Sequence, residues 1–239
     1  MDKETLLSRL RGKLIVSCQA LEDEPLHGTA IMTAMARAAK IGGASAIRAN
    51  GREDVQAIRQ VTGLPVIGIV KRVYPDSEVY ITPTEKEVQE CLEAGADVIA
   101  MDATLRHRPK GVTLRELLRR IRENSECLAM ADVSTVEEGV AAEEAGFDLV
   151  STTLSGYTPY SRRAAGPDFE LIRNLSERLS IPVIAEGRIA TPQEARRAIE
   201  LGAHAVVVGT AITRPHVLTR RFVEALKGEC VDECHRKDK

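Results

Sequence analysis

Aromatic residues are scarce in this chain of 239 residues: Trp is absent, and Phe, Trp and Tyr together make up only 3%. Proteins that hold single-stranded nucleic acid stack its bases on aromatic rings, so the composition argues against that function. The net charge of −2 gives no overall basic field that would attract a phosphate backbone. Ala, Val, Ile and Leu must fill the core, and small branched residues suit the interior of a narrow parallel barrel.

Long apolar runs are also missing. No stretch approaches the roughly 20 apolar residues of a membrane-spanning helix, and residues 1–11 are charged, unlike a secretory signal. The five cysteines are an odd number, which indicates free thiols and predicts a cytoplasmic protein. In the polar tail, Cys230, Cys234 and His235 offer at most three ligands without a second cluster, so no metal site is expected.

Two kinds of sequence segment alternate along the chain. Short apolar runs typical of buried parallel strands are Leu14–Ser17, Ala46–Arg48, Val66–Val70, Val98–Met101, Leu128–Ala131, Leu149–Thr152, Val183–Ala185 and Ala205–Val208. Amphipathic segments with helical spacing lie between them: Thr29–Lys40, Arg52–Thr62, Thr84–Ala94, Thr113–Glu123, Val136–Ala145, Asp168–Leu179 and Pro192–Leu201. The alternation predicts an α/β fold, a single (β/α)8 TIM barrel over residues 1–239 with a polar tail from about Gly228.

A short sequence echo supports closure of the barrel. It recurs about every 50 residues, the length of two βα units, and always where a helix passes into a strand. Its four copies are Lys40–Ala44, Glu93–Asp97, Glu144–Asp148 and Glu200–His204, each with Gly where a left-handed helix cap is expected. Four evenly spaced copies favour eight strands in a closed barrel over a doubly wound open sheet.

Binding groups in such barrels come from the carboxyl ends of the strands and the loops that follow. The loops after the last two predicted strands, 186–189 and 209–214, lie where these barrels hold phosphate. Gly187, Gly209 and Thr210 would bring main-chain amides to the phosphate, and Arg188 or Arg214 would add charged hydrogen bonds. The alternative is that the glycines only turn the chain. No Gly-x-x-x-x-Gly-Lys or Gly-x-Gly-x-x-Gly motif supports a nucleotide site.

Lys71 and Glu186 each end an apolar strand, on opposite sides of the predicted barrel. Desolvation at a strand end lowers the pKa of an amine, and a neutral amine accepts protons. We therefore expect Lys71 and Glu186 to transfer protons, the alternative being a structural ion pair. By position, Asp132 and Arg48 would hold a hydroxyl or amide of a ligand, or pair with each other.

Two further predictions concern neutral and basic side chains. Gln19 follows the first strand and would contact an acyl amide or sugar hydroxyl, unless it serves only the core. The basic run 106–110 is typical of a solvated loop, from which Arg106 is within reach of the barrel mouth.

These residues stand in segments that resemble a known family, the bacterial N-acetylmannosamine-6-phosphate 2-epimerases of sialic acid catabolism. The resemblance extends from about Leu14 to Leu226 and is strongest in Val16–Ala20, Ala46–Asn50, Ile69–Arg72, Tyr80–Thr84, Met101–Thr104, Met130–Ser134, Leu154–Thr158 and Ala185–Ile189. The tail after Gly228 is not part of the family pattern.

The resemblance implies a barrel of the ribulose-phosphate-binding type and an isomerase without metal or organic cofactor. Its substrate would be an N-acyl-D-mannosamine 6-phosphate and its product the N-acyl-D-glucosamine 6-phosphate. Independently of the resemblance, neither nucleic acid nor a membrane is expected as a partner, and the sequence is compatible with a homodimer. It assigns proton transfer to Lys71 and Glu186. The remaining assignments are sugar and acetamido contacts to Gln19, Arg48 and Asp132, and phosphate contacts to Gly187, Arg188, Gly209 and Arg214.

Three other functions are compatible with the residues. A barrel that binds FMN through the same two loops would be coloured. A sugar-phosphate aldolase would form a Schiff base on Lys71, which borohydride would trap. A phospho-sugar sensor would bind without turnover, although a full set of polar strand ends favours an enzyme.

Overall fold

Residues 2–228, which the computed structural model describes, contain eight β-strands and ten α-helices. The strands are β1 Leu14–Cys18, β2 Ala46–Asn50, β3 Val66–Ile69, β4 Val98–Asp102, β5 Leu128–Asp132, β6 Leu149–Ser151, β7 Val183–Glu186 and β8 Ala205–Val208. The helices are α1 Lys3–Leu10, α2 Thr29–Ile41, α3 Arg52–Thr62, α4 Glu85–Glu93, α5 Leu114–Asn124, α6 Val136–Ala145, α7 Phe169–Arg178, α8 Pro192–Glu200, α9 Thr210–Thr213 and α10 Pro215–Leu226.

The strands form a closed parallel barrel in chain order, in which β8 pairs with β1. The predicted (β/α)8 fold is therefore confirmed. Each predicted strand and helix is present, with boundaries that differ by one or two residues at most ends. The tail with Cys230 and Cys234, in which no metal site is expected, lies outside the described residues.

The core has two main layers. One cluster fills the barrel interior with alternate strand residues such as Ile15, Ile67, Val98, Met130 and Val207. A larger cluster packs the outward strand residues against the surrounding helices. Every strand is buried on both faces, which explains why the strands appear in the sequence as continuous apolar runs.

A helix that the sequence pattern did not predict closes the amino-terminal end of the barrel. Asp2 caps α1 by accepting a hydrogen bond from the Thr5 amide. Leu6 and Leu10, both almost fully buried, belong to the cluster that fills the barrel interior. Because α1 covers this end, the polar residues at the opposite, carboxyl-terminal end are the ones left facing a mouth.

The junction glycines follow the predicted pattern with one shift. Gly95, Gly146 and Gly202 have φ of 76°, 95° and 100°, in the left-handed region. In the first copy the left-handed residue is Gly43 (φ 95°), while Gly42, which aligns with the others, is right-handed. The echo therefore marks the junction rather than a fixed position.

Capping boxes fix the starts of four helices, α4, α5, α6 and α8. In each box a Thr hydroxyl and a Glu three residues later satisfy amides of the first turn. The boxes at Thr84 and Thr191 are predicted by the sequence. Since these helices begin at the carboxyl ends of the strands, their boxes also anchor the loops around the mouth. Among residues 2–228, no helix has the length and apolar character to cross a membrane.

Candidate active site

Three charged side chains from non-adjacent strands meet at the carboxyl end of the barrel. The Arg48 guanidinium on β2 donates Nη1 to Asp132 Oδ1 at 3.0 Å and Nη2 to Asp132 Oδ2 at 2.6 Å, across to β5. Arg48 Nη1 also lies 3.0 Å from Glu186 Oε2 on β7. The Arg48 and Asp132 side chains are 1% and 0% exposed. Of the two sequence interpretations, the buried ion pair is therefore present.

The Glu186 carboxylate is held between opposing influences. Burial raises its pKa above the ordinary value, Arg48 lowers it, and the nearby charge of Asp132 raises it again. The net direction is upward. A carboxyl group with a raised pKa exchanges protons nearer neutral pH, which suits proton transfer.

Lys71 lies two residues after the end of β3. Its amide donates to Asn50 Oδ1 at 2.8 Å, and its main chain bridges Ile81 in the returning loop. Burial, together with the positive charges of Arg48 and Arg214, lowers the pKa of the Lys71 amine to about 8. A substantial fraction of the amine is therefore neutral near physiological pH.

Lys71 and Glu186 lie at the carboxyl ends of β3 and β7, which are four strands apart in the ring. Each charge shifts the pKa of the other group. Within residues 2–228 no direct ion pair joins the two; the salt bridge of Glu186 is to Arg48. The structural Lys–Glu pair considered from the sequence is not formed.

Two buried polar atoms in this region have no partner among the described residues, Gln19 Oε1 and Arg48 Nε. Gln19 Nε2 donates to Ser17 Oγ at 2.8 Å, which leaves its carbonyl oxygen as an acceptor. Arg48 Nε is a donor. A buried donor and a buried acceptor without protein partners are costly, and an amide carries one acceptor and one donor that would match them.

The loops after β7 and β8 present main chain at the mouth. Gly187 has φ of 113°, which a residue with a Cβ rarely adopts, and Arg188 follows with φ of 56°. Gly209 precedes the four-residue helix α9, and a Cβ there would come within 3.3 Å of the Ser17 Cβ. The first amides of α9, beginning at Thr210, have no acceptor within the helix.

The Arg188 guanidinium turns away from these amides toward the β6–α7 loop. Its Nη1 donates to the Ser155 carbonyl at 2.6 Å and its Nε to the Gly166 carbonyl at 2.9 Å. The guanidinium also lies over the Tyr157 ring, 5.7 Å from the centroid. In this arrangement the side chain fixes a loop, and only the main chain of Arg188 lies with the predicted phosphate residues.

Arg214 does point toward the mouth, where its charge lowers the pKa of Lys71. Its Nη2 forms a salt bridge with Oε1 of Glu24, a residue of the β1–α2 loop. Glu24 Oε1 also accepts a hydrogen bond from the Leu21 amide at 3.3 Å. The sequence did not single out Glu24, because a pair 190 residues apart leaves no local pattern.

The two arginines of the basic run after β4 are largely buried, contrary to the solvated loop that the sequence predicts, whereas His107 and Lys110 are exposed as expected. Arg106 Nη2 pairs with Asp102 Oδ2 at 2.6 Å, and its side chain is 9% exposed. Arg108 is 5% exposed and donates to three main-chain carbonyls, those of Thr82, Pro83 and Asp102. For these two arginines the prediction was wrong, because Asp102 at the end of β4 and carbonyls of the preceding loop supply their acceptors. Among residues 2–228, no three His, Cys, Asp or Glu side chains are grouped as metal ligands.

Comparison with known proteins assigns the chain to a family. Residues 32–228 match the family model described as "Putative N-acetylmannosamine-6-phosphate epimerase". The chain belongs to this family. Its curated relatives include a protein of Caldanaerobacter subterraneus subsp. tengcongensis, 58% identical over 93% of this chain and 94% of that protein. Another, from Clostridium perfringens strain SM101, is 57% identical over 93% of this chain and 100% of that protein. Both are named "Putative N-acetylmannosamine-6-phosphate 2-epimerase".

Solved structures agree with this assignment. The N-acetylmannosamine-6-phosphate 2-epimerase of Clostridium perfringens superposes with a TM-score of 0.90 at 56% identity, covering 92% of this chain and 96% of that one. A thiamine phosphate pyrophosphorylase from Pyrococcus furiosus has a TM-score of 0.60 at 23% identity, over 92% of this chain and 98% of that chain, and shares the fold alone.

Proposed function

We propose that the protein is a carbohydrate epimerase that inverts C2 of N-acyl-D-mannosamine 6-phosphate to give N-acyl-D-glucosamine 6-phosphate. The printed activity of its family supports the substrate class. The observation that carries the reaction type is the opposition of Lys71 and Glu186 across the barrel, both with pKa values shifted toward neutrality. We further propose a cytoplasmic location, in keeping with three buried free thiols at Cys18, Cys91 and Cys127.

Inversion at C2 needs one group on each face of the carbon. In the open-chain sugar, C2 adjoins the C1 aldehyde, and one group of the pair removes the C2 proton. The electrons of the C–H bond form a C1–C2 double bond, and the carbonyl electrons move to O1. The partner then delivers a proton to the opposite face while the C1 carbonyl reforms. No electrons are gained or lost overall, so neither a redox partner nor a co-substrate is required.

The other proposed residues would hold the sugar still during this exchange. Gln19 Oε1 would accept the acyl N–H, Arg48 Nε would donate to the acyl carbonyl, and Asp132 would keep the Arg48 guanidinium in place. The phosphate would bind the amides around Gly187 and Gly209 and the Arg214 guanidinium. Binding energy at the phosphate, remote from C2, would position the reacting carbon between the two side chains.

One experiment tests both substrate and reaction: a proton-NMR time course with N-acetylmannosamine 6-phosphate in deuterated buffer. We expect conversion to the glucosamine epimer with deuterium at C2, because the transferred proton passes through side chains that exchange with solvent. Product without deuterium would exclude exchange with solvent, and absence of turnover would contradict the proposed function.

The same sample separates the alternatives. A colourless protein argues against FMN, and failure of borohydride to trap a covalent adduct on Lys71 argues against an aldolase. Tight binding of the sugar phosphate without turnover would instead indicate a sensor. The family match favours the epimerase over all three.

A further inference from the structure

Two neighbouring threonines after β6, Thr152 and Thr153, bind different parts of Glu186. Thr152 Oγ1 donates to the Glu186 carbonyl at 2.8 Å and accepts from the Glu186 amide at 3.0 Å. Thr153 Oγ1 contacts the carboxylate instead, at 3.1 Å from Glu186 Oε2. One hydroxyl therefore anchors the main chain of Glu186, and the next one touches its charged group.

The Thr153 hydroxyl also joins two carboxylates. Its oxygen lies 2.8 Å from Asp132 Oδ1 and 2.8 Å from Ser151 Oγ. A hydroxyl has a single proton to donate and two lone pairs to accept with. If Ser151 donates to Thr153, the Thr153 proton is free for a carboxylate. Asp132 already receives two nitrogens of Arg48, whereas Glu186 receives only one.

Opposing influences from several elements act on the protonation of Glu186, with burial the largest and the net shift of its pKa upward. Arg48 from β2 and Lys71 after β3 favour the ionised carboxylate, while Asp132 from β5 and burial favour the neutral acid. The hydrogen bond from Thr153 is the remaining influence, and it favours the ionised form. Hydrogen bonds to a charged group are among the stronger ones, so a single donor can shift this balance.

We infer that Thr153 is a positioning residue, whose hydroxyl holds the Glu186 carboxylate in place and favours its ionised form. The inference rests on the proposed function, since it gives Glu186 a part in proton transfer. Thr153 lies two residues past the end of β6, and nothing local in the sequence indicates that its hydroxyl contacts both Asp132 and Glu186.

The test is the pH dependence of kcat in Thr153→Val, which keeps the shape and removes the hydroxyl. On the acid side of the pH profile, kcat rises as the Lys71–Glu186 pair loses its first proton. Glu186 is the group that loses this proton. We expect the midpoint of this limb to rise by roughly one pH unit, as for loss of one hydrogen bond to a charge. Thr153→Ser should leave the midpoint at the wild-type value. kcat is used because the phosphate of free substrate titrates near pH 6 and would distort kcat/KM.

Thr152→Val is the matched control. It removes a hydroxyl of the same kind from the neighbouring residue, one that binds only the main chain of Glu186. It should lower the midpoint of thermal unfolding without moving the acid limb. A Thr153→Val midpoint within 0.2 pH unit of wild type, or an equal shift in Thr152→Val, would overturn the inference.

A second measurement does not depend on turnover. Carboxyl-carbon NMR of the free protein, with the Glu186 signal assigned by its loss in Glu186→Gln, reports the pKa of Glu186 directly. We expect that pKa to be higher in Thr153→Val than in wild type or Thr153→Ser; an unchanged value would contradict the inference. Absence of epimerisation by the wild type would count against the proposed function and leave this titration readable.

Discussion

At the scale of single residues, the Lys71 amine shows how a site group opposes folding. Its pKa falls from 10.5 in a solvated chain to about 8 because burial and the charges of Arg48 and Arg214 disfavour the ammonium. Below pH 8 the folded protein must hold a proton on this buried amine, and the unfolded chain holds it more easily. The contribution to stability is therefore unfavourable below pH 8, shrinks as the pH rises, and vanishes above about 10.5.

Lys71→Met should thus abolish epimerisation, by about a thousandfold or more, and yet stabilise the fold. The gain at pH 7 is expected to reach up to about 3 kcal/mol and to disappear near pH 10.5. Urea unfolding of wild type and variant at the two pH values measures it. Lys86→Met, on the exposed face of α4, is the control and should change neither property. A destabilised Lys71→Met at pH 7 would mean that the amine is solvated in the folded protein.

The sequence predicts which side chains reach the mouth but not what they touch there. Lys71, Glu186, Arg48 and Asp132 could be selected because any polar residue that ends a buried parallel strand must face the same rim. The direction of the Arg188 guanidinium could not, since it depends on the carbonyls of a loop whose conformation has no sequence period. For the same reason, Glu24 was not recognised.

At the scale of elements, the loops after β3 and β4 form one unit. Ser77 Oγ donates to the His107 carbonyl, and the Lys110 amide donates to Asp76. Arg108, in the second loop, donates hydrogen bonds to the Thr82 and Pro83 carbonyls at the end of the first loop. The loop from 72 to 84 follows directly after Lys71 and returns to pair with it at Ile81, so Arg108 supports the position of the amine.

Arg108→Met should lower the free energy of unfolding by about 2–4 kcal/mol, because buried carbonyls lose their donors. It should also reduce kcat at least tenfold, since Lys71 would no longer be held in register. Arg119→Met on α5, where the Arg119 side chain is 65% exposed, serves as the control. Chemical denaturation and steady-state rates measure the two effects. A destabilised Arg108→Met that kept full activity would show that Arg108 stabilises the loops without positioning Lys71.

Helices were easier to predict than these loops. Thr-x-x-Glu patterns at Thr84 and Thr191 indicate helix starts because the capping contacts are local. The burial of Arg108 depends on the Thr82 and Pro83 carbonyls, more than twenty positions earlier in the chain, so the run of basic residues resembled a solvated surface.

At the scale of the whole molecule, close packing between neighbouring βα units sets the strand positions. Gly68 in β3 is one such contact: an added Cβ would lie 2.9 Å from the Cβ of Ala96. Both atoms are attached directly to main chain, so neither can turn aside, and one strand must shift.

Gly68→Ala is therefore expected to destabilise the protein by about 1–3 kcal/mol and to lower kcat, because β3 carries Lys71. Gly42→Ala is the control, since Gly42 has a right-handed φ of −71° and its Cβ would make contacts of 3.4 Å or more. Thermal unfolding and activity assays compare the two. Equal effects of both variants would mean that the packing at Gly68 has no special role.

The closed barrel itself was predictable, because the Gly-containing echo repeats with the period of two βα units. The plug formed by α1 was not, since its apolar residues Leu6 and Leu10 give too short a pattern to distinguish a barrel-closing helix from a charged leader.

The buried salt bridge between Arg48 and Asp132 has an evolutionary consequence. It joins β2 and β5, which are not neighbours in the barrel, so two residues proposed to serve sugar binding also stabilise the fold. A descendant that no longer needed the reaction would not be free to discard them, because loss of Arg48 leaves the Asp132 carboxylate buried without a cation, and loss of Asp132 leaves Arg48 paired with Glu186 alone. Relatives that have lost the activity should therefore still retain both residues. Their presence alone does not indicate that a relative is an active enzyme.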